Sequence, residues 1–254
     1  MSSPLVVANW KMHGGQAHCA LLARQIVRGL RREPVGAEVV LAPPFTSLIA
    51  VHRSLHGSEV KLAAQNCHWE IQGAYTGEVS PTMVRELGCD YVIVGHSERR
   101  HILQESDEMI ARKLAPIVNH GMRAILCVGE TLAERQSGKT AAVIRRQLRI
   151  ALKGLTKADI GNVEIAYEPV WAIGTGQNAT SKQISQVHRQ VRNGLIQWFG
   201  PSKGKYLRIL YGGSVKPENV DSLVKIEEIN GLLVGGASLQ SDTFLPIVRA
   251  YRLK

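Results

Sequence analysis

Short apolar runs recur along the whole chain and are separated by longer stretches. Each run is about five residues long, rich in β-branched and small residues, and lacks strict alternation of apolar and polar positions. Such runs are typical of strands that are covered on both faces. They predict eight strands, at Leu5–Asn9, Val39–Ala42, Lys61–Gln65, Tyr91–Gly95, Ala124–Gly129, Glu164–Glu168, Leu207–Tyr211 and Gly231–Val234.

The stretches between these runs have helical periodicity. In Ala17–Arg32, for example, Leu22 and Ile26 lie on one stripe, whereas Arg24 and Arg28 face away from it. Seven more helices are predicted, at Ser47–Leu55, Pro81–Leu87, Glu105–His120, Thr131–Gly154, Ser181–Phe199, Lys216–Val224 (with Pro217 near its first turn) and Thr243–Arg252.

The alternation of strands and helices indicates a parallel sheet, because parallel neighbours need a crossover connection. Two α/β architectures fit this order, an open doubly wound sheet and a closed barrel. No stretch rich in Pro, Gly or Ser and no change of composition marks a domain boundary. We therefore expect a single domain over residues 1–254, and the positions of the polar residues decide between the two sheets.

Polar side chains and glycines follow the predicted strands at their carboxyl ends. They are Asn9, Lys11, Gln65, Asn66, His96, Glu98, Glu130, Glu168, Tyr211–Ser214 and Gly235–Gly236. Each residue taken alone could belong to a turn or carry a solvated charge. Unrelated surface residues, however, would not occur at the same end of successive strands. Since α/β barrels carry their active sites at that end, the pattern favours a single-domain (β/α)8 barrel.

Two glycine-rich turns follow the last two predicted strands, at Gly212–Gly213 and Gly235–Gly236. They fit either tight turns or a phosphate site, because barrels often bind phosphate after the seventh and eighth strands. The chain has no glycine-rich nucleotide-binding motif, so no cofactor is expected.

The connection after the sixth predicted strand is unusually apolar for a loop. Its residues are Pro169, Val170, Trp171, Ala172, Ile173, Gly174, Thr175 and Gly176. A plain connection would be polar, and a single core aromatic would explain only Trp171. We interpret residues 169–176, called the lid segment below, as a lid that excludes water when shut.

Composition and charge restrict the kinds of binding partner and the cellular compartment that we expect for this chain. Lys and Arg outnumber Asp and Glu by 31 to 21, which fits either nucleic-acid binding or attraction of a small anion. The positive residues are spread out without interleaved aromatics, so no nucleic-acid partner is expected. The apolar runs are too short to span a membrane and no signal peptide is evident, so we expect a cytoplasmic protein without a membrane partner.

The four cysteines are scattered, at Cys19, Cys67, Cys89 and Cys127. None forms a CxxC pair, so the spacing of a metal site is missing and a disulfide framework is not expected. We expect buried thiols and no metal.

Four motifs resemble the triosephosphate isomerase family, in the same order and at the same separations. They are Asn9–Met12, Gly95–Arg100, Ala166–Gly176 and Tyr211–Ser214. The resemblance implies a cofactor-free barrel that interconverts dihydroxyacetone phosphate and D-glyceraldehyde 3-phosphate. It further implies proton abstraction through an enediolate intermediate, in glycolysis and gluconeogenesis.

The resemblance also gives each matching position a role. Glu168 would be the base, and a neutral His96 would polarise the carbonyl. Lys11 would stabilise the enediolate and help to hold the phosphate, Asn9 would bind the oxyanion, and Glu98 would pair with Lys11. The backbone N–H groups that would bind phosphate belong to Gly174, Ser214, Gly235 and Gly236.

Three further contacts follow from the resemblance alone. Glu130 would touch Trp171 at the hinge of the lid segment. Tyr211 and Ser214 would hold the closed lid. The loop Gly73–Glu78 would join two subunits into a homodimer.

Two places depart from the family pattern. His13 stands where Asn is usual, near the docking site of the dimer loop, so it bears on subunit affinity. Gln177–Asn178 follows the lid segment and bears on its opening rate.

Three other functions fit parts of the pattern. They are an inactive barrel that binds sugar phosphates, a basic nucleic-acid-binding barrel, and a different sugar-phosphate isomerase. The complete set of Asn9, Lys11, His96 and Glu168 argues against the first, because binding alone needs no base. The lid sequence argues against the last.

Overall fold

The computed structural model of the chain describes residues 3–173 and 179–251. Eight parallel strands pair in chain order and close into a barrel, because β1 pairs with both β2 and β8. The strands are β1 (Leu5–Asn9), β2 (Glu38–Ala42), β3 (Lys61–Ala64), β4 (Tyr91–Val94), β5 (Arg123–Val128), β6 (Val163–Tyr167), β7 (Ile209–Tyr211) and β8 (Gly231–Val234). The predicted (β/α)8 barrel is therefore confirmed, and the open doubly wound sheet is excluded.

Helices connect the strands around the outside of the barrel. They are α1 (Gln16–Arg32), α2 (Leu48–Ser54), α3 (Pro81–Glu86), α4 (Ser97–His101), α5 (Asp107–Asn119), α6 (Leu132–Gln136), α7 (Thr140–Leu152), α8 (Ser181–Phe199), α9 (Pro201–Gly204), α10 (Val220–Leu223) and α11 (Ser241–Arg249). Short 3₁₀ turns lie at Phe45–Ser47, Asp159–Asn162, Val170–Ala172 and Gly236–Ser238. Across residues 3–173 and 179–251, no helix has the length and apolarity needed to cross a bilayer.

Two of the predicted helices were wrong in extent. Thr131–Gly154 is two helices, α6 and α7, because the chain turns at Gly138, whose φ is +71°. The helix predicted at Lys216–Val224 is confined to α10. The short helix α9 was not predicted, since four residues are too few to show periodicity.

The side chains of each strand alternate between two apolar layers. Leu5 and Val7 of β1 point into the barrel, whereas Val6 and Ala8 pack against the helices. The interior layer is small and contains Leu5, Val7, Val40, Ala42, Ala63, Tyr91, Ile93, Ile125, Cys127, Ala166, Leu210 and Leu233. Both faces of the sheet are thus dry, which explains why the strands appear as continuous apolar runs.

The amino ends of the strands are closed by a network of ion pairs. The Arg208 guanidinium lies 2.7 Å from Glu38 and 2.7 Å from Glu164, and it also donates to the hydroxyl of Tyr91. Arg123 pairs with the same Glu164 carboxylate. These residues lie at the amino ends of five different strands, β2, β4, β5, β6 and β7, so the network ties that end of the barrel together and leaves the opposite end for chemistry.

His188 of α8 is buried between the sheet and the helices. Its Nδ1 lies 3.1 Å from the carbonyl oxygen of Glu228, so Nδ1 carries the proton, and its ring packs edge-on against Tyr167. The buried Nε2 has no hydrogen-bond partner among the described residues. Burial lowers the pKa of His188 to about 4, because an imidazolium here would be poorly solvated.

We predict that His188 makes the protein less stable in mild acid. Between about pH 6.5 and about pH 4, the unfolded chain binds a proton at this ring that the folded chain does not. The free energy of unfolding therefore decreases as the pH is lowered through this range. The full effect is about 3 kcal/mol and is absent above about pH 7.

Urea denaturation of the native chain and of His188→Phe at about pH 7 and about pH 5 checks this prediction. We expect the variant to have a flatter pH dependence, and the control His56→Phe, at an exposed histidine, to keep the native one. An equally steep dependence in His188→Phe would contradict the assignment.

Candidate active site

A cavity of about 510 Å³ opens at the carboxyl ends of the strands. The predicted site residues that line it are Asn9, Lys11, His96, Glu168, Ser214, Gly235 and Gly236. Glu98 lies beside the cavity as a partner of Lys11. Gly174, the remaining predicted phosphate ligand, falls outside the described residues. The fold thus gathers groups from β1, β4, β6, β7 and β8 at one rim.

Lys11 is held in place by contacts to both its backbone and its ammonium group. Its φ of +50° is unusual for a residue with a side chain, and its N–H donates to Asn9 Oδ1 at 3.0 Å. Gln65 donates to its carbonyl oxygen at 2.8 Å. The ammonium lies 2.7 Å from Glu98 Oε1, so the ion pair expected from the family resemblance is present. These contacts direct the positive charge towards the cavity.

His96 lies between β4 and α4, and its ring connects the two carboxylates of the site. Nδ1 accepts the backbone N–H of Glu98 at 3.3 Å, which leaves Nε2 to carry the proton of a neutral ring. Nε2 faces Glu168 Oε1 at 3.0 Å. Burial lowers the pKa of His96, but the adjacent Glu168 carboxylate outweighs burial and raises it above the ordinary value. The neutral His96 ring expected from the family resemblance therefore stays a prediction, and it applies to the state in which the Glu168 carboxylate has moved away from Nε2.

Glu168 follows β6 directly and has 2% of its surface exposed. Its carboxylate accepts the backbone N–H of Ser97 at 2.9 Å and the Ser97 hydroxyl at 3.3 Å. Burial raises the pKa of Glu168, but His96 and Ser97 outweigh burial and lower it below its ordinary value. The His96 ring and the donors at the start of α4 thus hold the carboxylate in its charged form.

The glycine-rich turns after β7 and β8 line the cavity between Glu168 and Lys11. Gly235 precedes the 3₁₀ turn Gly236–Ser238, and a Cβ atom at Gly235 would lie 3.4 Å from Lys11 Cε. A Cβ atom at Gly213 would lie 2.1 Å from the Tyr211 hydroxyl oxygen. Glycine at these positions keeps backbone N–H groups accessible near a lysine ammonium, which is an arrangement that suits an anion.

The first part of the lid segment is fixed through Glu130. The Glu130 carboxylate accepts from Trp171 Nε1 at 3.0 Å and from the Tyr167 hydroxyl at 3.2 Å, and it pairs with Arg135 at 2.9 Å. The guanidinium of Arg135 also lies over the Trp171 ring. The contact between Glu130 and Trp171 expected from the resemblance is therefore present. Gly174, Thr175, Gly176 and the departure Gln177–Asn178 lie outside the described residues.

Two contributors to the site were missed in the sequence. Ser97 binds the Glu168 carboxylate across a separation of 71 residues, and Arg135 pairs with Glu130 below the lid segment. Ser97 had a detectable signal, because the first N–H groups of a helix have no partner within the helix and suit a carboxylate. Arg135 had none, since its partner is identified only by the fold.

The remaining candidate chemistry of the sequence is buried. All four cysteines are free thiols away from solvent. Burial, reinforced by the nearby Glu168 carboxylate, raises the pKa of Cys127 well above its ordinary value, so this thiol is a poor nucleophile. Within the described part of the chain, no three His, Cys, Asp or Glu side chains are placed to share a metal ion.

Comparison with known proteins agrees with this geometry. A family profile described as triosephosphate isomerase matches residues 4–251. The chain is 48% identical to the triosephosphate isomerase of Syntrophotalea carbinolica over 249 residues, which are 98% of each protein. It is 48% identical to that of Aquifex aeolicus over 97% of this chain and 99% of the relative. It is 45% identical to that of Caldanaerobacter subterraneus over 98% and 99% of the two chains. A barrel whose catalytic rim carries these groups, and whose sequence matches over nearly its whole length, is an isomerase that belongs to the triosephosphate isomerase family.

Proposed function

We propose that the protein interconverts dihydroxyacetone phosphate and D-glyceraldehyde 3-phosphate by proton transfer through an enediolate. One observation carries the proposal: the ionised Glu168 carboxylate and the His96 ring meet at 3.0 Å in a buried part of the cavity. A carboxylate there can remove a proton from the carbon beside a carbonyl, and the imidazole can serve the oxygens of the same two carbons.

The base must leave its present partners to react. Glu168 is held by Ser97 and His96, which stabilise its charge and so weaken it as a base. A substrate that inserts beside His96 would replace these contacts, and the carboxylate would then face a C–H bond in a dry site. Its pKa would rise as the donors are lost, which makes proton abstraction easier.

Three donors surround the position of the developing oxyanion. With Nδ1 occupied by the Glu98 N–H, His96 presents Nε2–H. Asn9 uses Oδ1 to accept from Lys11, so its amide nitrogen is the group that can donate. Lys11 adds a positive charge whose direction is fixed by Glu98. Donors that are held in place before the reaction stabilise the new charge without reorganisation.

The phosphate would bind beside the turns that carry Ser214, Gly235 and Gly236. The backbone N–H groups of Ser214, Gly235 and Gly236 border this region, together with the Lys11 ammonium. Gly174 would complete the set from the lid segment when it closes. Closure would exclude water from the enediolate, whose exposure would allow side reactions such as loss of phosphate.

The cellular setting is part of the same proposal. The reaction places the protein in glycolysis and gluconeogenesis. Four reduced, buried cysteines are compatible with the reducing cytoplasm, where we propose that it acts.

We also propose a homodimer that forms through the loop Gly73–Glu78. Large apolar side chains are exposed in the connections after the four neighbouring strands β1, β2, β3 and β4. They are Met12, Leu21, Ile49, Ile71, Tyr75, Met83, Ile102 and Leu103, each between 44% and 93% exposed. Exposed apolar residues concentrated in these four connections support a protein interface on this part of the barrel, and the loop Gly73–Glu78 lies within the set.

The first prediction of the proposal concerns the base. Replacing the Glu168 carboxylate by an amide in Glu168→Gln removes the proton acceptor but keeps the shape, so we expect kcat to fall by roughly three orders of magnitude or more with little change in KM. Glu168→Asp keeps the carboxylate but withdraws it by one methylene, so its kcat should lie between those of the native protein and Glu168→Gln. A coupled assay in both directions measures these rates, with thermal unfolding as the control for folding. Native rates in Glu168→Gln would overturn the mechanism.

The second prediction concerns assembly. Analytical ultracentrifugation of the native protein should give a molar mass of about twice the 27.8 kDa of one chain. Tyr75→Asp puts a charge in the proposed interface and should shift the protein to monomers at micromolar concentration. Tyr206→Asp changes a more exposed tyrosine outside the set and should leave the dimer intact. Monomeric native protein, or loss of the dimer in Tyr206→Asp alone, would contradict the interface.

A further inference from the structure

A buried amide on the outer helix α7 reaches the catalytic rim. Gln147 is 3% exposed, and its side chain makes two hydrogen bonds to a single residue, Gly129. The Gly129 N–H donates to Gln147 Oε1 at 2.9 Å, and Gln147 Nε2 donates to the Gly129 carbonyl oxygen at 3.0 Å. The amide thus acts as the partner that a neighbouring strand would otherwise provide.

The position of Gly129 explains why it needs such a partner. It lies one residue beyond β5, where the N–H of Glu168 donates to the Val128 carbonyl oxygen at 2.8 Å. Past that bond the two strands no longer pair, so both polar groups of Gly129 would be buried without partners. Gln147 satisfies both groups and fixes the backbone of Gly129 relative to α7.

Gly129 in turn lies directly against the backbone of the proposed base. A Cβ atom at Gly129 would be 1.8 Å from the carbonyl oxygen of Glu168 and 3.2 Å from a methyl group of Val170, the second residue of the lid segment. The next residue, Glu130, accepts the hydrogen bond from Trp171. Any displacement of Gly129 would therefore move the base and the start of the lid segment together.

We propose that Gln147 is a positioning residue, which sets the approach of the Glu168 carboxylate to the substrate by fixing Gly129. The inference rests on the proposed function, since it assigns Gln147 a part in the same proton transfer. The phosphate side of the cavity, at Ser214, Gly235 and Gly236, is built from other strands. Loss of the Gln147 hydrogen bonds should therefore lower kcat and leave KM nearly unchanged.

The central variant is Gln147→Met, which keeps the length of the side chain and removes both hydrogen bonds. We expect kcat to fall about tenfold or more and KM to stay within about twofold. The primary isotope effect on kcat, with substrate deuterated at the carbon that loses its proton, should rise because proton abstraction becomes slower. A role in stability alone would leave the isotope effect and the kcat per folded enzyme unchanged.

The matched control is Leu148→Ala, on the same helix. Leu148 is 1% exposed and packs in the apolar layer, so its truncation costs stability without touching Gly129. Both variants are assayed below their unfolding temperatures, and Leu148→Ala should keep native kcat. A native kcat and isotope effect in folded Gln147→Met would overturn the inference.

A second variant, Gln147→Glu, tests the same inference if Gln147→Met does not fold. In Gln147→Glu the introduced group accepts the Gly129 N–H when ionised but donates to the Gly129 carbonyl only when protonated. Its kcat, expressed relative to the native enzyme at the same pH, should rise as the pH is lowered from about 8 to about 6, because burial raises the pKa of the introduced carboxyl. A kcat of Gln147→Glu that equals the native kcat at both the higher and the lower pH would overturn the inference.

Glu168→Gln, measured alongside, separates this inference from the proposed function. If Glu168→Gln is inactive and Gln147→Met is native, only the role of Gln147 is wrong. If Glu168→Gln retains native activity, the proposed proton transfer itself is wrong.

Discussion

A carboxylate with only 2% of its surface exposed, such as that of Glu168, needs protein donors in place of the water that it has lost. Those donors come from the first residues of α4, where the Ser97 N–H has no helical partner, and from the His96 ring that precedes the helix. The closed parallel barrel makes this possible, because it brings the carboxyl ends of β4 and β6 to the same rim although the residues are far apart in the chain. The rest of the site is arranged around this compensated charge.

The same contacts that keep Glu168 ionised also restrain it. They lower its pKa, and they occupy the oxygens that would have to meet a substrate. The conformation described here is thus one in which the base is charged and held beside His96. Substrate binding that replaces these donors, together with closure of the lid segment, would convert a stabilised carboxylate into a stronger base in a dry site. Glu130 bears on this conversion through its hydrogen bond with the Trp171 side chain, and Gln147 does so through the backbone of Gly129 beside Glu168.

The fold could be predicted from the sequence because strands covered on both faces leave continuous apolar runs, and because polar residues at their carboxyl ends mark a shared rim. The position of the predicted Lys11–Glu98 ion pair and of the Glu130–Trp171 contact agrees with the structure. The break between α6 and α7 was missed, although Gly138, whose positive φ makes the turn, lies inside the predicted helix. The hydrogen bonds from Ser97 and Gln147 were also missed. A helix start marks the Ser97 N–H as a free donor, but no local pattern identifies Glu168 as its acceptor or Gly129 as the partner of Gln147.

The proposed reaction moves a proton to a protein carboxylate and does not move a hydride between carbons. Running the isomerisation in D₂O and locating deuterium in the product by NMR distinguishes these two routes. A proton held on Glu168 can exchange with solvent before it returns, so we expect product that carries deuterium on the carbon that receives the proton. Product that carries no solvent deuterium at that carbon, formed at the full rate, would contradict proton transfer through Glu168.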